Sequence, residues 1–170
     1  MEEAAQIVAN VASVLAIAGA AWWFLYTTQF KPRIQFDLGC EVLRVSGTDS
    51  PRIVEIQFIF ENKGYVEHRL YNLYVSVHAL AETNPPTAKP QTGEIEFKRR
   101  VLPQVSIVPK EYGYFFVRPG VRQVITHTVA VPIDVSIIRV TSSFSYHRGD
   151  RFPHSARRVF VVENSALQSA

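Results

Sequence analysis

Val54-Glu55-Ile56-Gln57-Phe58-Ile59-Phe60-Glu61-Asn62-Lys63-Gly64 is the stretch that decides the fold. Val54, Ile56, Phe58 and Phe60 fall on one face of an extended chain, and the Asn-Lys-Gly that follows is a turn in which glycine can take positive φ. The same period of two continues in both directions. Upstream, Ile34, Phe36, Leu38, Cys40 and Val42 alternate with Gln35, Asp37, Gly39 and Glu41. Downstream come Leu73, Val75, Val77 and Ala79, then Ile95, Phe97 and Val101 with Glu94, Glu96, Lys98 and Arg100 on the outer side. Tyr112, Tyr114 and Phe116 follow, closed by Pro119-Gly120, then Val121, Ile125, Val129 and Val131, stopped by Pro132. Ile138, Val140, Phe144 and Tyr146 make a further strand, and Val159 with Val161 a last one. Short alternating strands separated by Gly, Pro and Asn turns predict an all-β domain of about seven to eight antiparallel strands, each with one face wet. Phe36, Ile56, Phe58, Val75, Val77, Val129, Val140 and Phe144 are the expected core.

The Asn62-Lys63-Gly64 turn after one strand and the Pro119-Gly120 turn before another resemble those of bacterial immunoglobulin-like sandwich domains. The resemblance implies an immunoglobulin-like β-sandwich and no particular activity. The Cys…Trp…Cys core of antibody domains is missing, since both tryptophans stand near the N-terminus. A closed β-barrel is the alternative architecture for the same strands.

Ahead of the strands, residues 7–28 are almost wholly apolar, long enough for a helix to cross the hydrocarbon core of a bilayer. Trp22, Trp23 and Tyr26 sit at the end of this run, where amphipathic rings settle at headgroup level, and Lys31 and Arg33 follow just outside. Ala18-Gly19-Ala20 looks like a signal-peptide cleavage site. The leading flank is acidic, however, and the apolar run continues through Trp22, Trp23, Phe24 and Leu25, so a retained single-pass anchor is expected. Glu2 and Glu3 before the run and Lys31 and Arg33 after it predict an N-terminus outside the cell membrane and a cytoplasmic domain. The lone Cys40 suits a cytosolic domain without disulfides. At about 100° per residue, Ala9, Ala12, Ser13, Ala16, Gly19 and Ala20 share one face, and Ala12-Ala16-Ala20 has the spacing that lets helices approach closely in lipid. That face predicts self-association or packing on another membrane protein. The chain thus divides into a short extracytoplasmic segment 1–6, a transmembrane helix 7–28, a linker 29–33, a β domain 34–163 and a disordered tail 164–170.

All 18 Lys and Arg lie beyond the apolar run, together with 13 of the 15 acidic residues, a net charge of +5 on that part. The basic residues are dispersed among carboxylates without a nucleic-acid-binding pattern, so attraction to an anionic membrane surface, or solubility, is the better reading. The segment Ala81 to Thr92, with Asn84-Pro85-Pro86 and Lys89-Pro90, reads as an extended solvated loop.

The sequence holds no G-x-S-x-G, H-E-x-x-H, C-x-x-C, P-loop or G-x-G-x-x-G, so no catalytic residue, metal ligand or cofactor is assigned and a non-enzymatic protein is expected. His68, His78, His127, His147 and His154 show no ligand spacing, and His127 has core-side parity. Arg148-Gly149-Asp150 spells an adhesion tripeptide but reads as a hairpin turn, with Gly149 at positive φ and Asp150 bonding the backbone. Arg148, Arg151, Arg157 and Arg158 form the densest positive run and the candidate site for nucleotide or lipid phosphate. Lys98, Arg99 and Arg100 form a second group, with Arg99 on the core side by parity. Two readings follow. In the first, the β domain of a single-pass inner-membrane protein binds a protein partner. In the second, an oligomerising membrane effector senses a phosphate-bearing ligand through its arginines and perturbs the bilayer with its helix.

Overall fold

The computed structural model describes residues 2–27, 32–43, 51–81, 86–109, 111–151 and 153–162. Lys31, the Asn84-Pro85 pair, the C-terminal end of the expected helix at residue 28, and the tail 164–170 lie outside them. The chain begins with helix α1 (Glu2–Leu25), whose side chains are exposed along its length and which is long and apolar enough to cross a membrane. At 1.5 Å per residue it measures about 36 Å, against a hydrocarbon core of about 30 Å. Ser13 donates back to the Ala9 carbonyl at 2.9 Å, and Thr27 to that of Trp23 at 2.8 Å, so the hydroxyls are satisfied within the helix.

Beyond α1 the chain is mostly β, in two antiparallel sheets. β1 (Ile34–Leu43), β2 (Arg52–Asn62) and β6 (Arg122–Val131) form the first in the order β1-β2-β6. β3 (His68–Ala81), β4 (Arg99–Ser106), β7 (Val135–Ser145) and β8 (His154–Val161) form the second in the order β4-β3-β7-β8, and the short β5 (Phe115–Val117) also pairs with β3. The sheets do not close on themselves, so the barrel alternative is wrong. Each sheet buries one face, as the alternation requires: Leu38, Val54, Ile56, Phe58 and Phe60 meet Val75, Val77, Ile138, Val140 and Phe144 in a single core. All eight expected core residues lie in that core or pack against it.

Asn62 ties the turn between β2 and β3 to β5. Its buried amide nitrogen donates to the carbonyls of Val66 (2.8 Å) and Val117 (3.0 Å), and its side-chain oxygen accepts from the Gly64 N–H at 2.9 Å. This side-chain turn makes a left-handed glycine unnecessary: positive φ falls at Gly93, Gly113 and Gly120, not at Gly64. Gly149 is likewise not left-handed, contrary to expectation. The hairpin there is closed by Asp150, whose carboxylate accepts from the Tyr146 (3.0 Å) and His147 (2.9 Å) amides. The expected role of Asp150 holds.

β3 keeps its expected inward residues Leu73, Val75, Val77 and Ala79, whereas the readings of β4, β5, β6 and β8 shift. β3 carries one extra residue between its pairings Tyr71↔Ser145 and Tyr74↔Ser143, so Leu70 and Leu73 both face inward. The bulge turns at Asn72 (φ 56), whose side chain donates to Ser145 Oγ and to the Arg148 carbonyl. β4 starts at Arg99, later than expected. Residues 86–98 instead make a small hairpin, with an Ala88–Ile95 bridge and Glu96 N–H to Thr87 C=O at 2.8 Å, where a structureless loop and an early strand were expected. Arg99 leaves its core-side parity and pairs with Asp134 at the surface. In β5, Phe115 and Val117 face inward in place of Tyr114 and Phe116. Phe115 packs edge-on against Phe60 at 5.1 Å, where a tyrosine hydroxyl would need a partner. β8 slips by one. Ala156, Phe160 and then Val162 turn inward, while Val159 and Val161 face solvent. Val121, expected to open β6, is an exposed turn residue before it.

Replacing Asn62 with Ala strands two carbonyls and one N–H, which is expected to lower stability by about 2–4 kcal/mol. Asn62→Asp keeps the acceptor for Gly64 but sets a carboxylate against the carbonyls of Val66 and Val117, and is expected to cost at least as much. Urea unfolding of detergent-solubilised protein checks both; an unchanged midpoint for either would contradict this role.

A candidate partner-binding face

The slip in β8 puts apolar side chains on the outer face of the second sheet. Cross-strand pairing sets Val159 of β8 opposite Arg139 of β7, and Val161 opposite Ile137. On the other side of β7, Arg139 lies opposite His78 and Ile137 opposite Leu80, both of β3. The 86–98 hairpin comes to the same face with Glu94, Ile95 and Phe97. All of these residues except His78 and Val161, together with Arg157, line a cleft of about 280 Å³. Its rim is apolar and open, with Ile95 45% and Val159 54% exposed, and Val161, next along the same face of β8, is 65% exposed. Among the described residues β8 stands at the edge of its sheet, so the cleft runs beside a strand that is paired on one side only there.

The charges of the cleft gather on Glu94. One carboxylate oxygen accepts from Arg157 at 3.0 Å and lies 3.5 Å from Arg139, and the other meets Lys89 at 3.3 Å. The Lys89 hydrogen bond and charge, joined by Arg157 and Arg139, hold the Glu94 carboxyl below the usual carboxylate range. Arg139 is only 17% exposed and stacks its guanidinium over the Phe97 ring at 4.9 Å. That contact covers the ring and fixes the planar donor at the cleft floor. The Nε of Arg139 and the Nδ1 of His78 are both buried without a hydrogen-bond partner among the described residues. Burial lowers the His78 pKa, and the positive charges of Arg139 and then Arg100 lower it further, so protonation of this imidazole is disfavoured.

The four arginines of the candidate anion site do not converge. Arg157 points to the outer face and Glu94, whereas its neighbour Arg158 points the other way, to Asp37 (3.2 Å) and the Leu38 carbonyl (3.4 Å) on β1. Arg148 lies over the Tyr71 ring at 5.8 Å in the β7–β8 turn, and Arg151 is exposed in the same turn. Alternation along a strand separates residues 157 and 158 onto opposite faces by necessity. On α1, Ala9, Ala12, Ser13, Ala16, Gly19 and Ala20 are exposed, as are Trp22, Trp23 and Tyr26, and Arg33 is exposed just before β1. His127 has its expected parity but is only half buried. His68 packs edge-on to Tyr146 at 5.9 Å, and burial lowers its pKa. Burial pushes the Cys40 thiol up to about 11, which leaves it protonated and inert. Among the described residues, no three His, Cys, Asp or Glu side chains gather as metal ligands.

Sequence reasoning missed His78, Phe97 and Arg139 as a group. A signal was present in the outward parity of His78 and Arg139 on strands whose other face is apolar. It could not be used until the pairing of β3 with β7 set the two side by side.

No family model and no curated protein matches this chain. Among solved structures it is similar to Spo0M, a sporulation control protein of Bacillus subtilis, at 12% identity and a TM-score of 0.45. That likeness covers 76% of this chain and 49% of the other, so this chain spans about half the length of that protein. A Bordetella pertussis protein provisionally assigned as ApaA is similar at 9% identity and a TM-score of 0.45, over 76% and 94% of the two chains. A protein of Archaeoglobus fulgidus is similar at 12% identity and a TM-score of 0.40, over 78% and 99%. Likenesses this loose say nothing of activity.

The depressed histidines give a pH dependence of defined sign. His78 and His68 resist protonation when folded but take protons near the ordinary value of 6.5 when unfolded. Their contribution is therefore complete above 6.5 and is lost as pH falls below it. The unfolding midpoint is expected to drop between pH 6.5 and 5, and the His68→Gln/His78→Gln double variant to remove much of that slope. Identical slopes for the variant and the parent protein would refute the assignment.

Proposed function

We propose that this chain is a single-pass membrane-anchored, non-enzymatic protein whose β domain folds as an immunoglobulin-like sandwich in the cytoplasm and binds a protein partner. The anchor reading is supported by α1, which is long enough and apolar enough to span and is flanked by acidic residues before and basic ones after. The strand orders β1-β2-β6 and β4-β3-β7-β8 support the sandwich reading. They share with that fold the grouping of the first, second and fifth main strands against the third, sixth and seventh, although β4 joins the second sheet instead of the first.

The observation that carries partner binding is the apolar cleft beside edge strand β8. An extended segment that paired with the open edge of β8 would place alternate side chains over Val159 and Val161, as in strand addition. Glu94 and Arg157 at the rim would set register by hydrogen bonding. A photo-crosslinking residue at Val159 of the full-length protein in its native membrane is expected to give one discrete protein adduct. The same residue at Gln35, on the outer face of the other sheet, is expected to give none. Equal labelling from both positions would defeat the proposal.

The second reading, an oligomerising effector that senses a nucleotide or lipid phosphate, draws support from the open small-residue face of α1 alone, since Arg157 and Arg158 diverge. That face is itself testable. Ala16→Leu is expected to weaken self-association in membranes at least several-fold by blocking close backbone approach, and Val14→Leu to leave it unchanged. Crosslinking yield in membranes reports both, and equal effects would make the face an accident of composition.

A further inference from the structure

We propose that the pole of the β domain where β1 begins docks on a lipid surface rich in anionic phosphate headgroups. The inference rests on the reading that α1 spans the bilayer. From Thr27, the last described residue after α1, to Ile34, the first of β1, a fully extended chain reaches about 25 Å. The tether therefore ends on this pole. The 14-residue β3 puts the opposite pole about 45 Å further along the strands.

The near pole is built from the turns after β2, after β5 and after β7, and it is tied to the incoming chain by the Lys63 N–H donating to the Arg33 carbonyl at 2.9 Å. Four exposed arginines stand on it: Arg33, Arg122, Arg148 and Arg151. Among the described residues none of them pairs with a carboxylate. Most of the carboxylates at this pole are already engaged. Glu61 pairs with Lys63, Glu67 with Arg118 at 3.4 Å, and Asp150 with two backbone amides, while Glu111 is exposed. The far pole differs. There Lys89, Lys98 and Arg99 pair with Glu94, Glu96 and Asp134, and among the exposed cations described at that end Arg100 alone has no carboxylate.

Two aromatic residues accompany these charges. Tyr65, in the turn after β2, is 72% exposed, and Tyr112 is 70% exposed in a turn whose Gly113 lies against the Arg148 guanidinium. Tyrosine settles at headgroup level, and guanidinium pairs with phosphate oxygens in a fork. The shallow cleft at this pole is lined by residues 61–65, 119 and 120 and by none of the four arginines. Charges spread over an end of the domain suit a plane of headgroups better than one small anion. Each would add to a surface attraction that acts within a Debye length.

Backbone hydrogen exchange of the full-length chain in nanodiscs tests this. One set of discs is phosphatidylcholine alone, and the other is half phosphatidylglycerol. Residues 62–67, 118–121 and 146–151 are expected to exchange about tenfold more slowly in the anionic discs, with the 86–98 hairpin unchanged. The Arg122→Glu/Arg148→Glu/Arg151→Glu variant is expected to lose the difference. Equal exchange in the two lipids by inserted, unaltered chain overturns the inference whether or not that variant folds. So does equal slowing in phosphatidylcholine discs by millimolar inorganic phosphate, which would mark a small-anion site. A chain that does not co-purify with discs at all overturns the membrane reading, and this inference with it.

Discussion

The two sheets are locked to each other by three phenylalanines. Phe36 of β1 stacks on Phe60 of β2 at 4.7 Å, and Phe144 of β7 in the other sheet meets both edge-on, at 5.2 and 5.6 Å. Offset-stacked and edge-to-face rings place the positive edge of one against the negative face of another, which makes the junction directional as well as apolar. Each ring contributes about 2–3 kcal/mol by leaving water. Moving any of the three strands by one residue would turn its ring outward, so this contact fixes three registers at once. Phe115, Tyr146 and His154 pack around the same group, and Asn62 stands two residues beyond Phe60. The turns of the near pole thus hang on the best-defined part of the core.

The outer face of the second sheet is where packing left residues unsatisfied. Its inner face took Phe160 and Val162, and the price was two valines in water on an edge strand. Natural edges are usually blunted with charge or proline, and β4 carries Pro103 in this way. β8 does so only through Arg157 and Arg158, which are committed to Glu94 and Asp37. A half-buried histidine beside a partly buried arginine, each with a buried nitrogen lacking a partner among the described residues, destabilises the fold without serving the core. Such a combination is understandable on a face that another chain covers.

The charges follow the same division. Ion pairs close the cleft and, Arg100 apart, the far pole, whereas four arginines without carboxylates among the described residues collect where the chain arrives from α1. Exposed ion pairs add little to stability, so this pattern has small weight in the fold and greater weight in what each end of the domain attracts.

Much of the architecture was legible in the chain. The period of two from Ile34 to Val42 and from Val54 to Phe60 determined those strands and their inward faces, because one parity there is apolar throughout and the other, Ile59 apart, is polar or glycine. The length and composition of residues 2–25 determined a helix able to cross a membrane. Residues 156–162 show where legibility ended: Val159 and Val161 compete with Phe160 and Val162, both parities are apolar, and only pairing with β7 chose between them. The bulge at Asn72 was hidden for a related reason, since one extra residue appears in the sequence as two overlapping alternations. The candidate cleft was hidden altogether, because Glu94, Leu80, Arg139 and Arg157 come from a hairpin and three strands. Sequence carried the local periodicity that each strand needs. The tertiary structure alone decided which strands are neighbours, and hence which side chains share a face.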